Sequence, residues 1–219
     1  KVATGYHAVE FLLWGQDQDY NNFTKDSITK GALNAGDRPL TDFTTDKDAP
    51  RRLAYLKAAS SKIVADLEII RGAWDKNNGE YRKAFLGNGK HAISQEEALK
   101  QIFVGMGVFI KSELANERIA VAVLTPSEED EHSCFSDNTH RDIWLNAEGV
   151  SNSFYGSYAG YDSDLDGIDD VTTNAVDGYG IDEYLTEVGL EGIAVATSAA
   201  LTLTETNYKL IDTSAREGS

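Results

Sequence analysis

His7 and Glu10 stand three residues apart in Gly5-Tyr6-His7-Ala8-Val9-Glu10. On a helix that spacing sets both side chains on one face, one turn apart. A neutral imidazole and a carboxylate so placed can share a metal ion, or the carboxylate can orient the ring by accepting its N–H. The same spacing also serves a core histidine hydrogen-bonded to its neighbour, so H-x-x-E alone does not separate these roles. The peptidase pattern H-E-x-x-H is absent. Phe11 stands where the inverted pattern H-x-x-E-H needs its second histidine.

A second cluster runs from Glu128 to Asp142. It holds His132 and His140 among six carboxylates. Glu129 and His132 form E-x-x-H, the spacing of di-iron carboxylate bundles, but no second copy follows. Cys134 is the only cysteine, which excludes a disulfide framework and any Cys-rich zinc site. It reads as a buried structural cysteine, with a soft ligand or a nucleophile as the alternative. Ser136 or Asp137 suits the N-cap of a following helix.

The third constellation is Asp162-Ser163-Asp164-Leu165-Asp166-Gly167-Ile168-Asp169-Asp170. Its D-x-D-x-D-G pattern matches the first half of a calcium loop. Asp162, Asp164 and Asp166 would converge on the ion, and Ile168 would offer its carbonyl. Thr173 stands where a bidentate Glu is expected, so Asp169 or Asp170 must complete the shell. Hard oxygen donors favour Ca²⁺ over a transition metal. The alternative is a solvated Asp-rich loop. No nucleophile elbow and no phosphate-cradling glycine loop is present.

Charge narrows the partners. The chain of 219 residues carries a net charge of −16. Nearly all of it lies in residues 126–187, where 16 acids face one base, Arg141. Nucleic acid and anionic membrane surfaces are therefore poor partners, and none is expected. No apolar run is long enough for a transmembrane segment. The opening Lys1-Val2-Ala3 shows no leader, as expected of a processed or truncated chain.

The elements that must position these residues read as helices. Thr4–Gly15 reads as the last turns of a helix, and Gln16–Pro50 as an ordered loop or a pair of short turns. Over Ala49–Asp75, Leu53, Leu56, Ile63, Leu67, Ile70 and Trp74 recur on one helical face. Ser94-Gln95-Glu96-Glu97 opens a second long helix as a capping box, and that helix runs to about Leu124. Gly105 and Gly107 inside it suggest close packing by another helix. A third helix is expected over Asn138–Tyr155 and a fourth over Ile181–Ile211, with the Asp/Gly loop between and no strand. The fold class is all-α, up-and-down helices in a bundle.

The stretch Gly5-Tyr6-His7-Ala8-Val9-Glu10-Phe11-Leu12-Leu13-Trp14-Gly15 resembles the G-x-H-x-x-E signature of the imelysin-like family. Arg38-Pro39 to Asp42, Glu113 to Arg118, and Glu129 to His140 are similar to that family as well. The resemblance implies an all-helical fold of two related bundles, and a bacterial periplasmic or surface location linked to iron uptake. It implies a site centred on His7 and Glu10, with Glu113, Arg118, His132 and Asp137 as further candidates. Members carry helices before the motif and continue past the end of this chain. The imelysin-like domain, residues 1–219, is thus expected to be incomplete at both ends, either as a fragment or as one piece of a cleaved protein whose companion chain completes the fold.

Three functions follow. The first is an envelope protein that binds iron, zinc or a small ligand through His7 and Glu10. The second is a metal-dependent peptidase, which the absence of a zincin motif weighs against. The third is a surface interaction module stabilised by Ca²⁺ on the Asp162–Asp170 loop. Chelation of a Ca²⁺-loaded loop is expected to lower the melting temperature by several degrees through lost binding free energy. A melting curve unmoved by chelator removes calcium from the protein.

Overall fold

The computed structural model describes residues 3–16, 35–124, 130–163 and 170–218, with side chains to residue 215. Helices dominate, and two compact units divide at Thr139 and His140. That division falls inside the acidic segment.

In the first unit, helix α1 spans Tyr6–Trp14 between Gly5 and Gly15, whose φ angles are 96° and 86°. Both are left-handed values that favour glycine. Gly15 N–H donates back to the Phe11 carbonyl at 2.8 Å. The stretch before Pro50 contributes a short helix α2, Thr41–Thr44. Helix α3 spans Ala49–Ala73, with Pro50 in its first turn, where a missing N–H costs nothing. It stops where the Asp75 carboxylate accepts the N–H groups of Asn77 and Asn78, both at 2.9 Å. Those bonds hold the Asp75 carboxyl below its ordinary range, since they favour the ionised form. Helix α4, Glu80–Phe85, follows, and its Tyr81 and Phe85 rings pack on Trp74.

Helix α5 begins as expected. Ser94 Oγ accepts Glu97 N–H at 3.1 Å, and α-helix runs over Gln95–Val108. The winding then loosens to a π-helix over Phe109–Ala120 and returns to α over Val121–Leu124. One expectation fails in this unit. A Cβ on Gly105 or Gly107 would meet nothing within 4 Å, so among the described residues no element packs closely there. The apolar face of α3 is also largely uncovered. Only Ala49 and Ala59 are buried on that helix, while Ile70 is 58% exposed.

The second unit is built on helix α6, Thr139–Tyr155. Ile143, Trp144, Ala147, Val150 and Phe154 recur at helical spacing and are all buried. A small antiparallel pair follows, β1 Ser157–Tyr158 with β2 Val176–Asp177, Ser157 opposite Asp177 and Tyr158 opposite Val176. No strand was expected, because two-residue strands leave no alternating pattern. Gly160, φ 133°, is required here, since a Cβ on it would lie 2.4 Å from the Val171 carbonyl oxygen. The single helix expected over Ile181–Ile211 is two: α7 Ile181–Glu187 and α8 Glu191–Gly218. Gly189, at φ 80°, breaks them, and Leu190 N–H closes the turn on the Leu185 carbonyl at 2.7 Å.

A charged cluster lies inside this unit. Asp212, 1% exposed, meets His140 Nδ1 at 2.8 Å and Arg141 at 3.4 Å. The same guanidinium reaches Asp162 at 3.2 Å and lies over the Trp144 ring at 4.5 Å. The cluster ties the start of α6 to the start of the acidic loop and to the far end of α8. Removing one partner of a buried pair leaves the other charge uncompensated. Asp212→Ala is therefore expected to cost about 3–5 kcal/mol of stability, measured by urea unfolding. A loss below about 1 kcal/mol would show the cluster to be solvated.

Candidate functional site

The first-unit helix α1 is held at both ends by segments far away in sequence. At its C-terminal end, Arg38 donates to the Phe11 carbonyl at 2.9 Å and to Asp42 at 2.8 Å, and lies over the Phe11 ring at 5.3 Å. A cation suits the carbonyl end of a helix dipole. Gly36 N–H donates to the Phe135 carbonyl at 2.9 Å, and a Cβ on Gly36 would lie 2.5 Å from the Trp14 carbonyl oxygen. Phe11 and Phe135 meet edge-to-face at 5.1 Å. The Arg38–Asp42 stretch and the turn around Phe135 thus fix the rotation of α1, and with it the direction in which His7 and Glu10 project.

Glu10 is the centre of this arrangement. Its Oε2 lies 2.9 Å from His7 Nδ1. Its Oε1 accepts both the Ser136 N–H, at 3.1 Å, and the Ser136 hydroxyl, at 2.7 Å. Each oxygen is therefore engaged. An ionised carboxylate can only accept, so His7 Nδ1 is the donor of this bond, and a neutral ring in this tautomer keeps its lone pair on Nε2. The Glu10 side chain is only 11% exposed while that of His7 is 47% exposed. This division of labour suits a carboxylate that orients an imidazole whose ring is the more exposed of the two.

His7 opens on a pocket of ≈ 1370 Å³ lined by α1, the first turns of α3 and the turn at 131–135. His132 belongs to the same wall, its ring edge-to-face with His7 at 5.1 Å between centroids. Two imidazoles on one tetrahedral ion, with nitrogens at about 2.0 Å from it, have ring centres roughly 5 Å apart. The pair therefore meets the distance a shared ion requires. Among the described residues, however, no set of three or more His, Cys, Asp or Glu side chains is assembled to hold a metal. Two imidazoles fit a metal as a partial donor set. Cys134 is half-buried and lines the pocket rather than sitting sealed in a core.

The other expected residues fall elsewhere. Asp137 adopts φ 51°, an unusual value for a residue with a side chain, at the turn that delivers Ser136 to Glu10. Ser136 was expected as an N-cap acceptor for α6, yet its hydroxyl donates to Glu10. Glu113 and Arg118 lie on the π-helical stretch of α5 and do not line the pocket. Arg118 lies over the Phe109 ring of its own helix at 5.3 Å. Of the calcium set, Asp162 is engaged by Arg141, and Asp170 accepts the Ser163 N–H at 2.9 Å and hydroxyl at 2.5 Å. The Ser163 hydroxyl and N–H keep the Asp170 carboxyl below its ordinary range. Asp164, Asp166 and Ile168 lie outside the described residues.

The family model for imelysin, a peptidase M75 family, matches residues 1–218. The chain belongs to the imelysin family. No curated protein matches it. Among the described residues no helix is long and apolar enough to cross a membrane. In this imelysin-family chain His7, Glu10 and His132, singled out in the sequence, lie close together, and two of their neighbours carried no sequence signal. Ser136 lacked any spacing signal, because it meets Glu10 across 126 residues. Arg51 carried no pattern, because it joins the pocket only through the position of α3.

The Glu10 bonds make a measurable demand. Glu10→Ala strips the acceptor from the Ser136 N–H and from His7, and is expected to cost about 1–3 kcal/mol of stability. Ser136→Ala, which keeps the N–H bond, is expected to cost about 1 kcal/mol. Nitrogen-15 spectra of His7 should show the proton on Nδ1 in the wild type and lose that preference in Glu10→Ala. An unchanged tautomer would show that Glu10 does not set it.

Proposed function

We propose that this imelysin-family chain is a bacterial envelope protein that binds iron or another transition metal in the pocket beside His7. The observation that carries this reading is the two-sided engagement of Glu10, which leaves His7 Nε2 as a donor at the pocket wall. Imidazole is a favoured ligand for zinc and iron, and His132 stands near enough to serve the same ion. The Glu10 carboxylate holds the ring in one orientation, as an outer-shell partner does in established metal sites. Location in the periplasm or at the cell surface belongs to the same reading and follows from the family resemblance.

Binding is preferred over peptide hydrolysis. A resident catalytic ion needs three protein ligands, an open position and a general base. The described residues bring two imidazoles together, and the nearest carboxylate is occupied on both oxygens. Calorimetric titration with iron and zinc is expected to give binding to the wild type and a loss of at least roughly tenfold in His7→Ala, the scale of removing one member of a metal site. Equal binding by both proteins removes His7 from the site.

A further inference from the structure

We propose that the pocket beside His7 receives its metal as a complex with a small carboxylate-bearing chelator, and that Arg51 holds a carboxylate of that chelator. The inference rests on the reading that His7 is a metal donor, and adds the class of molecule that brings the metal. Size is the first argument. The pocket measures ≈ 1370 Å³, whereas sites for whole small organic molecules run to about 300–1,000 Å³. A bare ion fills a small fraction of that space.

Donor count is the second argument. His7 and His132 supply two nitrogens, and Glu10 is already engaged by His7 and Ser136. Octahedral metal ions take about six ligands, so a chelator that brings several oxygens matches a site that offers few.

Charge is the third. Two arginines stand together in the first turns of α3 and line the pocket. Arg52 is turned to Asp42 and Asp46, at 3.8 and 3.7 Å. Arg51 is exposed at the pocket. Among the described residues no ion pair or hydrogen bond engages its guanidinium, in a chain of net charge −16. A guanidinium offers forked donors that match a carboxylate in geometry, and the positive end of the α3 dipole lies beside it. Asp48 and Glu131 also line the pocket. They disfavour a bare polyanion and suit a complex whose cation offsets its carboxylates. Phe11, Tyr55 and Phe135 supply apolar wall for a carbon skeleton.

The test titrates the full chain with ferric citrate, iron-free citrate and Zn²⁺. Wild type is expected to bind ferric citrate, and to bind citrate alone at least tenfold more weakly. Arg51→Gln is expected to lose roughly tenfold or more in ferric citrate affinity, with Zn²⁺ affinity and melting temperature unchanged. Arg51→Lys should recover only part of the loss, because an ammonium lacks the fork. Equal ferric citrate binding by wild type and Arg51→Gln overturns the role of Arg51. A wild type that binds Zn²⁺ but not ferric citrate overturns the chelate and leaves the metal reading intact. Zn²⁺ binding that survives His7→Ala instead strikes at the metal reading itself.

Discussion

A carboxylate that is nearly buried must find hydrogen-bond donors for both oxygens, and Glu10 finds them on two different pieces of chain. One oxygen takes His7 from the same helix; the other takes the backbone and side chain of Ser136. The turn at residues 133–137 is therefore bound to α1 by the same group that fixes the imidazole. Asp137 bends that turn through a left-handed backbone conformation, and Phe135 next to it packs on Phe11. Positioning of the histidine and closure of the turn are one event.

Arg38 completes the frame from the opposite end of α1. It donates to the Phe11 carbonyl, lies over the Phe11 ring and is itself held by Asp42. The Asp42 main-chain carbonyl also accepts from Arg52 of α3. A chain of charge-assisted bonds thus runs from the pocket helix through Asp42 to the helix that forms the pocket's far wall. Such bonds are directional, and direction is what a site needs when its apolar core is small. In the first unit the fully buried apolar side chains are few and mostly alanines, so polar anchors carry much of the specification.

The second unit solves a different problem with the same means. Asp212 is the most deeply buried large side chain, and it is charged. His140 and Arg141, adjacent in sequence, converge on it and so set the register of α8 against α6. Arg141 also takes Asp162, which neutralises one acid at the mouth of the Asp-rich loop. The acidic segment is thus partly organised from within by its only base.

The helices, their caps and the H-x-x-E pair were legible because they depend on neighbours within about one turn, where spacing and side-chain type decide the outcome. Ser94 capping α5 and the buried face of α6 are examples. The break at Gly189 was less legible, since a glycine inside an Ala-rich helical pattern reads as a tolerated cost until its backbone conformation is seen. The exposed face of α3 shows the converse: periodicity reveals that a face is apolar, not what covers it. The sequence by itself determined that the chain is helical, where its acids gather, and that His7 and Glu10 share a face. Only the tertiary structure decided which oxygen of Glu10 serves which partner, that His132 joins His7, and that Asp212 is buried against His140 and Arg141. Those contacts join residues tens to more than a hundred positions apart, and no local periodicity encodes a meeting that depends on how distant segments pack.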